Sequence, residues 1–139
     1  MDTHEQLLHL AMSDRYAERV RAGQLLSRFA GEPRTDNVLL KLLLDSTDTA
    51  VTDATAETLL ARQDTAGLRL FAAAWHLAQP ETGEHLNSAW SSALYRHARY
   101  NPEDQQRLQT TIAALRDDPN EAARQGARHL LKTLPSSPA

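Results

Sequence analysis

The sequence predicts an all-α fold of about eight helices, arranged as four antiparallel pairs stacked into a short solenoid. Three observations carry this expectation. Residues that start helices recur along the chain, apolar residues follow helical spacing, and the pattern returns about every 35 residues. No segment alternates β-branched and polar residues over the length of a strand.

Helix starts are read from side-chain acceptors placed where the first free backbone N–H groups need them. Thr3-His4-Glu5-Gln6 has the form of a capping box and opens a first helix over about residues 3–12. Asp14 is expected to cap a second, to about residue 30, where Gly31 and Pro33 interrupt. Thr35 or Asp36 opens a third through Leu44, Asp48 caps a fourth to about Arg62, and Asp64 caps a fifth to about Ala78, closed by Pro80. Thr82 begins a sixth that reaches about Tyr100. Asn101-Pro102-Glu103-Asp104 and Asp118-Pro119-Asn120-Glu121 open the last two, each with a capping side chain, a proline for the first helical position and acid in the first turn. Residues 1–134 form one domain, and residues 135–139, Pro-Ser-Ser-Pro-Ala, read as a flexible tail.

The totals agree with a single helical domain. A chain of 139 residues buries roughly two thirds of its unfolded surface. Prolines (six) and glycines (five) are few, and Ala and Leu are abundant, which favours helix. With aromatics at 5%, the core is left to Leu, Ala and Val. A net charge of −3 from 15 basic and 18 acidic residues gives no general attraction for a polyanion, so nucleic acid is not expected as a partner. The absence of cysteine removes disulfides, thiolate metal sites and cysteine nucleophiles. The acidic first residues do not resemble a secretory signal, and the apolar cluster at residues 38–44 is broken by Lys41 and too short to span a bilayer. A cytoplasmic protein that does not enter membranes is the expectation.

Internal repetition says how the helices stack. Asp14, Asp48, Gly83 and Pro119 are each followed at +11 and +12 by an apolar pair, Leu25-Leu26, Leu59-Leu60, Leu94-Tyr95 and Leu130-Leu131, and the four anchors lie 34, 35 and 36 residues apart. At +6 stand Val20, Ala54 and Ala89, with Gln125 in the fourth unit. A two-helix unit of this length buries its apolar stripe against its neighbours, and a terminal unit tolerates a polar outer face. That polar face also argues for a monomer.

With an Asp at the turn inside a pair, Val20-Arg21 and the weaker Ala123-Arg124 early in second helices, and small residues followed by Leu, nearly the whole chain resembles the HEAT-repeat family. Tetratricopeptide arrays share the period, but their Trp, Gly-Tyr and terminal Pro pattern is missing. The resemblance implies a right-handed α-solenoid whose second helices line a concave face. On that face +5 from the anchors gives Arg19, Asp53, Ser88 and Arg124, and +9 gives Gly23, Glu57, Ser92 and Arg128. A strip that runs basic, acidic, neutral, basic suits a protein or peptide epitope better than a uniform polyanion. Arg19, Asp53, Glu57, Ser88, Ser92, Arg124 and Arg128 are therefore the candidate partner-binding residues of a non-enzymatic adaptor or scaffold. The alternative within the same class is an immunity-type protein that occludes a toxin.

Chemistry finds less support. None of His4, His9, His76, His85, His97 and His129 stand three or four apart, so no two share a helix face as metal ligands, and no metal or other cofactor is expected. In the acidic stretch Asp45, Asp48, Asp53, Glu57 and Asp64, two serve as caps and one as a turn residue, while Asp53 and Glu57 are like charges at i,i+4. No phosphate loop or nucleophile elbow is present. The basic, aromatic run Tyr95-Arg96-His97-Ala98-Arg99-Tyr100 suits a helix C-terminus as well as a phosphate site. Some HEAT-like proteins resemble base-repair glycosylases that hold a base with tryptophans, but Trp75 and Trp90 lie in apolar, core-like settings.

Overall fold

The computed structural model of the chain describes residues 3–97 and 101–134. Among them eight α-helices follow one another and no strand occurs: α1 (His4–Leu10), α2 (Tyr16–Leu26), α3 (Pro33–Leu43), α4 (Thr49–Ala61), α5 (Thr65–Leu77), α6 (Pro80–His97), α7 (Pro102–Ala114) and α8 (Glu121–Thr133). Single turns of 3-10 helix extend α2 at Ser27–Phe29 and α7 at Leu115–Asp117. The expected tail and the expected end of α6 at Tyr100 lie outside the described residues.

Several starts are as the sequence predicts. Thr3 and Gln6 form the reciprocal capping box of α1, Asp48 accepts from the Ala50 N–H, Asp64 from that of Gly67, and Asn101 from those of Glu103 and Asp104. Four starts differ. Asp14 caps nothing: Arg15 is the N-cap of α2, and Ser13 holds the turn by accepting from the Arg15 N–H and donating to Glu18. Helix α3 begins before Thr35 and Asp36, because Glu32 receives the Arg34 and Thr35 N–H groups and Pro33 takes the first helical position. Helix α6 begins at Pro80 rather than Thr82. Asn120, not Asp118, caps α8, so Pro119 stands outside that helix; the Asp118 carboxylate is engaged instead by the Asn120 N–H and Arg69.

Helix α5 is the organising element. Gly67, Leu68, Leu70, Phe71, Ala72, Ala73 and Ala74 are all buried, an apolar surface wider than one stripe, and the helix packs against α3, α4, α7 and α8. Helices α2, α4 and α6 form a layer in that order. At the first of these contacts Gly23 lets α2 approach closely, since a Cβ there would stand 2.1 Å from Thr55 Oγ1.

The fourth pair departs from the expected side-by-side order. Helix α8 lies along α5, the most extensive helix contact among the described residues, and Trp90 Nε1 of α6 donates a 2.6 Å hydrogen bond to Thr133 at the end of α8. The cause is steric. A Cβ at Gly126 would fall 1.7 Å from the Ala72 carbonyl oxygen, and Ala123 and Ala127 are fully buried beside it, so α8 and α5 meet nearly backbone to backbone.

Arginines tie the loops to this framework. Arg19 binds Asp45 (2.9 Å), Thr47 and the Ser13 carbonyl; Arg62 binds Asp64 and the Ser27 carbonyl; Arg69 binds Asp118 (2.8 Å). Burial pushes the pKa values of Asp45, Asp64 and Asp118 up, but hydrogen bonds from these arginines and from backbone N–H groups outweigh it and hold all three below the ordinary carboxylate value. A carboxyl depressed in the folded chain adds stability above its unfolded pKa and loses it as pH falls through the folded one. Melting temperature is therefore expected to change little from neutral pH down to about 5 and to fall on acidification below about 4. An Asp118→Asn variant should melt lower at neutral pH and lose less on acidification.

Candidate functional site

The α4–α6 contact leaves an open cleft of about 510 Å³, and its walls carry four of the seven candidate residues. Asp53 and Glu57, one turn apart, project from α4; Ser88 and Ser92, also one turn apart, project from α6. Ala61, Ala89 and Ala93 keep the space between them shallow and unobstructed.

A histidine–carboxylate contact and an ion pair cross the cleft. His85 Nδ1 lies 2.9 Å from Asp53 Oδ1, and Arg96 Nη1 lies 3.4 Å from Glu57 Oε1. All four side chains remain at least a third exposed, so each pair adds at most about 1 kcal/mol to stability. Their larger effect is on the field. Each carboxylate on α4 is met by a nitrogen group from α6, the Arg96 guanidinium at Glu57 and the His85 imidazole at Asp53, so the acidic wall faces one that carries a cation and polar groups.

The other three candidates lie elsewhere. Arg19 is largely buried and held by Asp45, Thr47 and Ser13, and its neighbour in the strip, Gly23, is buried against Thr55. Arg124 donates to the carbonyls of Asp118 and Pro119 at the start of α8, and Arg128 is exposed farther along the same helix. Because α8 lies along α5, the four-helix strip is not continuous, and the candidates that come together belong to α4 and α6 alone.

His85 and Arg96 were not among the candidates from the sequence, yet a signal for them exists. Residues 85, 88, 92 and 96 stand at i, i+3, i+7 and i+11 and therefore share one helix face. In the run beginning at Tyr95, Tyr95 is exposed and Arg96 is paired with Glu57, while residues 98–100 lie outside the described residues. Trp90 is 2% exposed and stacks on Phe71 (centroids 5.7 Å apart), Trp75 packs against the same ring, and neither lines the cleft. Among the described residues no three His, Asp or Glu side chains converge as metal ligands, and no helix is long and apolar enough to cross a membrane.

Comparison with protein-family models, with curated proteins and with solved structures gives no match for this chain.

Proposed function

We propose that the chain is a non-enzymatic protein-binding module that takes up a polypeptide partner in the α4–α6 cleft. The observation that carries this reading is the convergence of Asp53, Glu57, Ser88 and Ser92 on one open cleft. A cleft with two carboxylates on one wall, a guanidinium and polar groups on the other and a floor of small residues favours a partner with ordered charges of both signs, not a uniformly charged polymer. The same reading makes it a HEAT-like adaptor without cofactor, acting as a monomer in the cytoplasm; the α2–α4–α6 layer is the feature of the fold that supports the family resemblance.

Charge reversal tests the assignment. Asp53→Lys with Glu57→Lys should abolish recovery of the partner from native lysate and leave helicity and melting temperature nearly unchanged, because exposed pairs contribute little to stability. Arg124→Glu with Arg128→Glu, on the separate α8 surface, should leave partner recovery intact. Undiminished recovery with the first pair would remove the cleft from consideration.

A further inference from the structure

The two carboxylates on the α4 wall of the cleft are answered by groups of different kinds. Glu57 faces the Arg96 guanidinium, a permanent cation. Asp53 faces the His85 imidazole, and histidine is the side chain whose charge changes between pH 5 and 8. With the imidazole neutral, two carboxylates stand against one guanidinium, and the charge left over is that of Asp53. The imidazole engages Oδ1, which leaves Oδ2 available to a ligand. Ser88, one turn from His85 on the same face of α6, adds a hydroxyl that can accept from a donor in the cleft. Leu60, Ala61, Ala89 and Ala93 give the cleft apolar surface beside these groups. A carboxylate, a hydroxyl and an apolar surface together match a side chain with an apolar stem and a forked cation at its tip. In arginine the methylenes cover the apolar surface while the guanidinium N–H groups bond carboxylate and hydroxyl, and a space of about 510 Å³ takes the whole side chain.

We propose that the bound polypeptide sets an arginine side chain against Asp53 and that a proton on His85 weakens its hold. The inference rests on the reading that the cleft binds a polypeptide, and it names one residue of that partner and what regulates its binding. The charged groups around His85 are Asp53, bonded to it from α4, Glu57 one turn farther on α4, and on its own helix Glu81 one turn before, Glu84 next to it and Arg96 three turns on. No residue of α5, α7 or α8 lines the cleft. Among the lining residues His85 is the one of the type that gains a charge between pH 8 and 5. Protonation puts a cation 2.9 Å from the carboxylate that the arginine needs, so the two compete and affinity falls as pH falls.

The test titrates N-acetyl-arginine N-methylamide onto the whole chain and follows amide chemical shifts. The matching citrulline compound, which has the same length and shape without the charge, is the control. At about pH 8 saturable shifts are expected around Asp53, His85 and Ser88, with the arginine compound binding about fivefold tighter than the citrulline one. From about pH 8 to about pH 5.5 its affinity should fall severalfold, although the guanidinium keeps its charge throughout. In His85→Asn the carboxamide N–H can still bond Asp53 but does not titrate, so the ratio of the two affinities should approach one. Asp53→Asn should abolish the preference for arginine over citrulline. No saturable shift, equal binding of the two compounds at the higher pH, or a pH dependence that survives His85→Asn would overturn the proposal. Any of these results, together with loss of partner recovery on charge reversal at Asp53 and Glu57, would sink this inference and leave the cleft itself as the binding site.

Discussion

Replacing Gly126 with alanine should destabilise the protein by about 3 kcal/mol or more, although alanine is the better helix former by about 1 kcal/mol. The added methyl would lie 1.7 Å from the Ala72 carbonyl oxygen and 2.9 Å from the Ala72 Cα. These are backbone atoms of another helix, so no side-chain rotation relieves the clash, and α8 must move away from α5 along its whole length. For a domain of this size the loss corresponds to a melting temperature lower by about 10 °C. Gly83→Ala is the internal control. A Cβ at Gly83, inside α6, meets only the Ala78 methyl at 4.0 Å, so the same substitution should be neutral or stabilising there. Thermal melts of the two variants beside the parent chain read both effects, and a Gly126→Ala protein as stable as the parent would mean that α8 does not dock as described.

Trp90→Ala should cost about 3–5 kcal/mol, the range for truncating a buried large aromatic side chain. The indole is 2% exposed, stacks on Phe71 of the central helix at an interplanar angle of 24°, and donates from Nε1 to Thr133 at the end of α8. One side chain thus joins α6 to both α5 and α8. Its removal should also loosen the α6 wall of the cleft, seen as faster amide exchange through residues 85–96 than in α2 or α3. Trp75→Ala should cost less, because Trp75 is only half-buried and packs against Phe71 at a longer 6.0 Å. Chemical denaturation of the two variants separates them, and equal losses would contradict the bridging role given to Trp90.

Local signals and long-range packing differed in how far the residues announced them. Thr3, Asp48, Asp64 and Asn101 marked their helices because a cap acts on N–H groups two or three residues away, a distance at which sequence and space coincide. The same logic misplaced Asp14 and Asp118, where an equally good acceptor stood within two residues; Ser13 took over the first turn, and Asn120 capped α8 while Asp118 answered to Arg69 from 49 positions away. The 35-residue period placed α2, α4 and α6 as neighbours but not α8. What redirected α8 was the near absence of side-chain volume at Ala123, Gly126 and Ala127 facing the small residues of α5, and small residues reveal close approach only once the opposing surface is known. The cleft was half legible. Asp53 and Glu57 stood out as like charges one turn apart, whereas His85 and Arg96, which answer them, lie 32 and 39 positions on.

The claim that a partner occupies the α4–α6 cleft meets its most direct test in site-specific photo-crosslinking, which the absence of cysteine makes clean. With a benzophenone maleimide on Ser92→Cys in native lysate, one discrete adduct should form and should disappear when Asp53→Lys and Glu57→Lys are added. The same label on His129→Cys, exposed on α8, should give no such adduct. An adduct that forms from position 129 and not from position 92, or that persists through the charge reversal, would contradict the account.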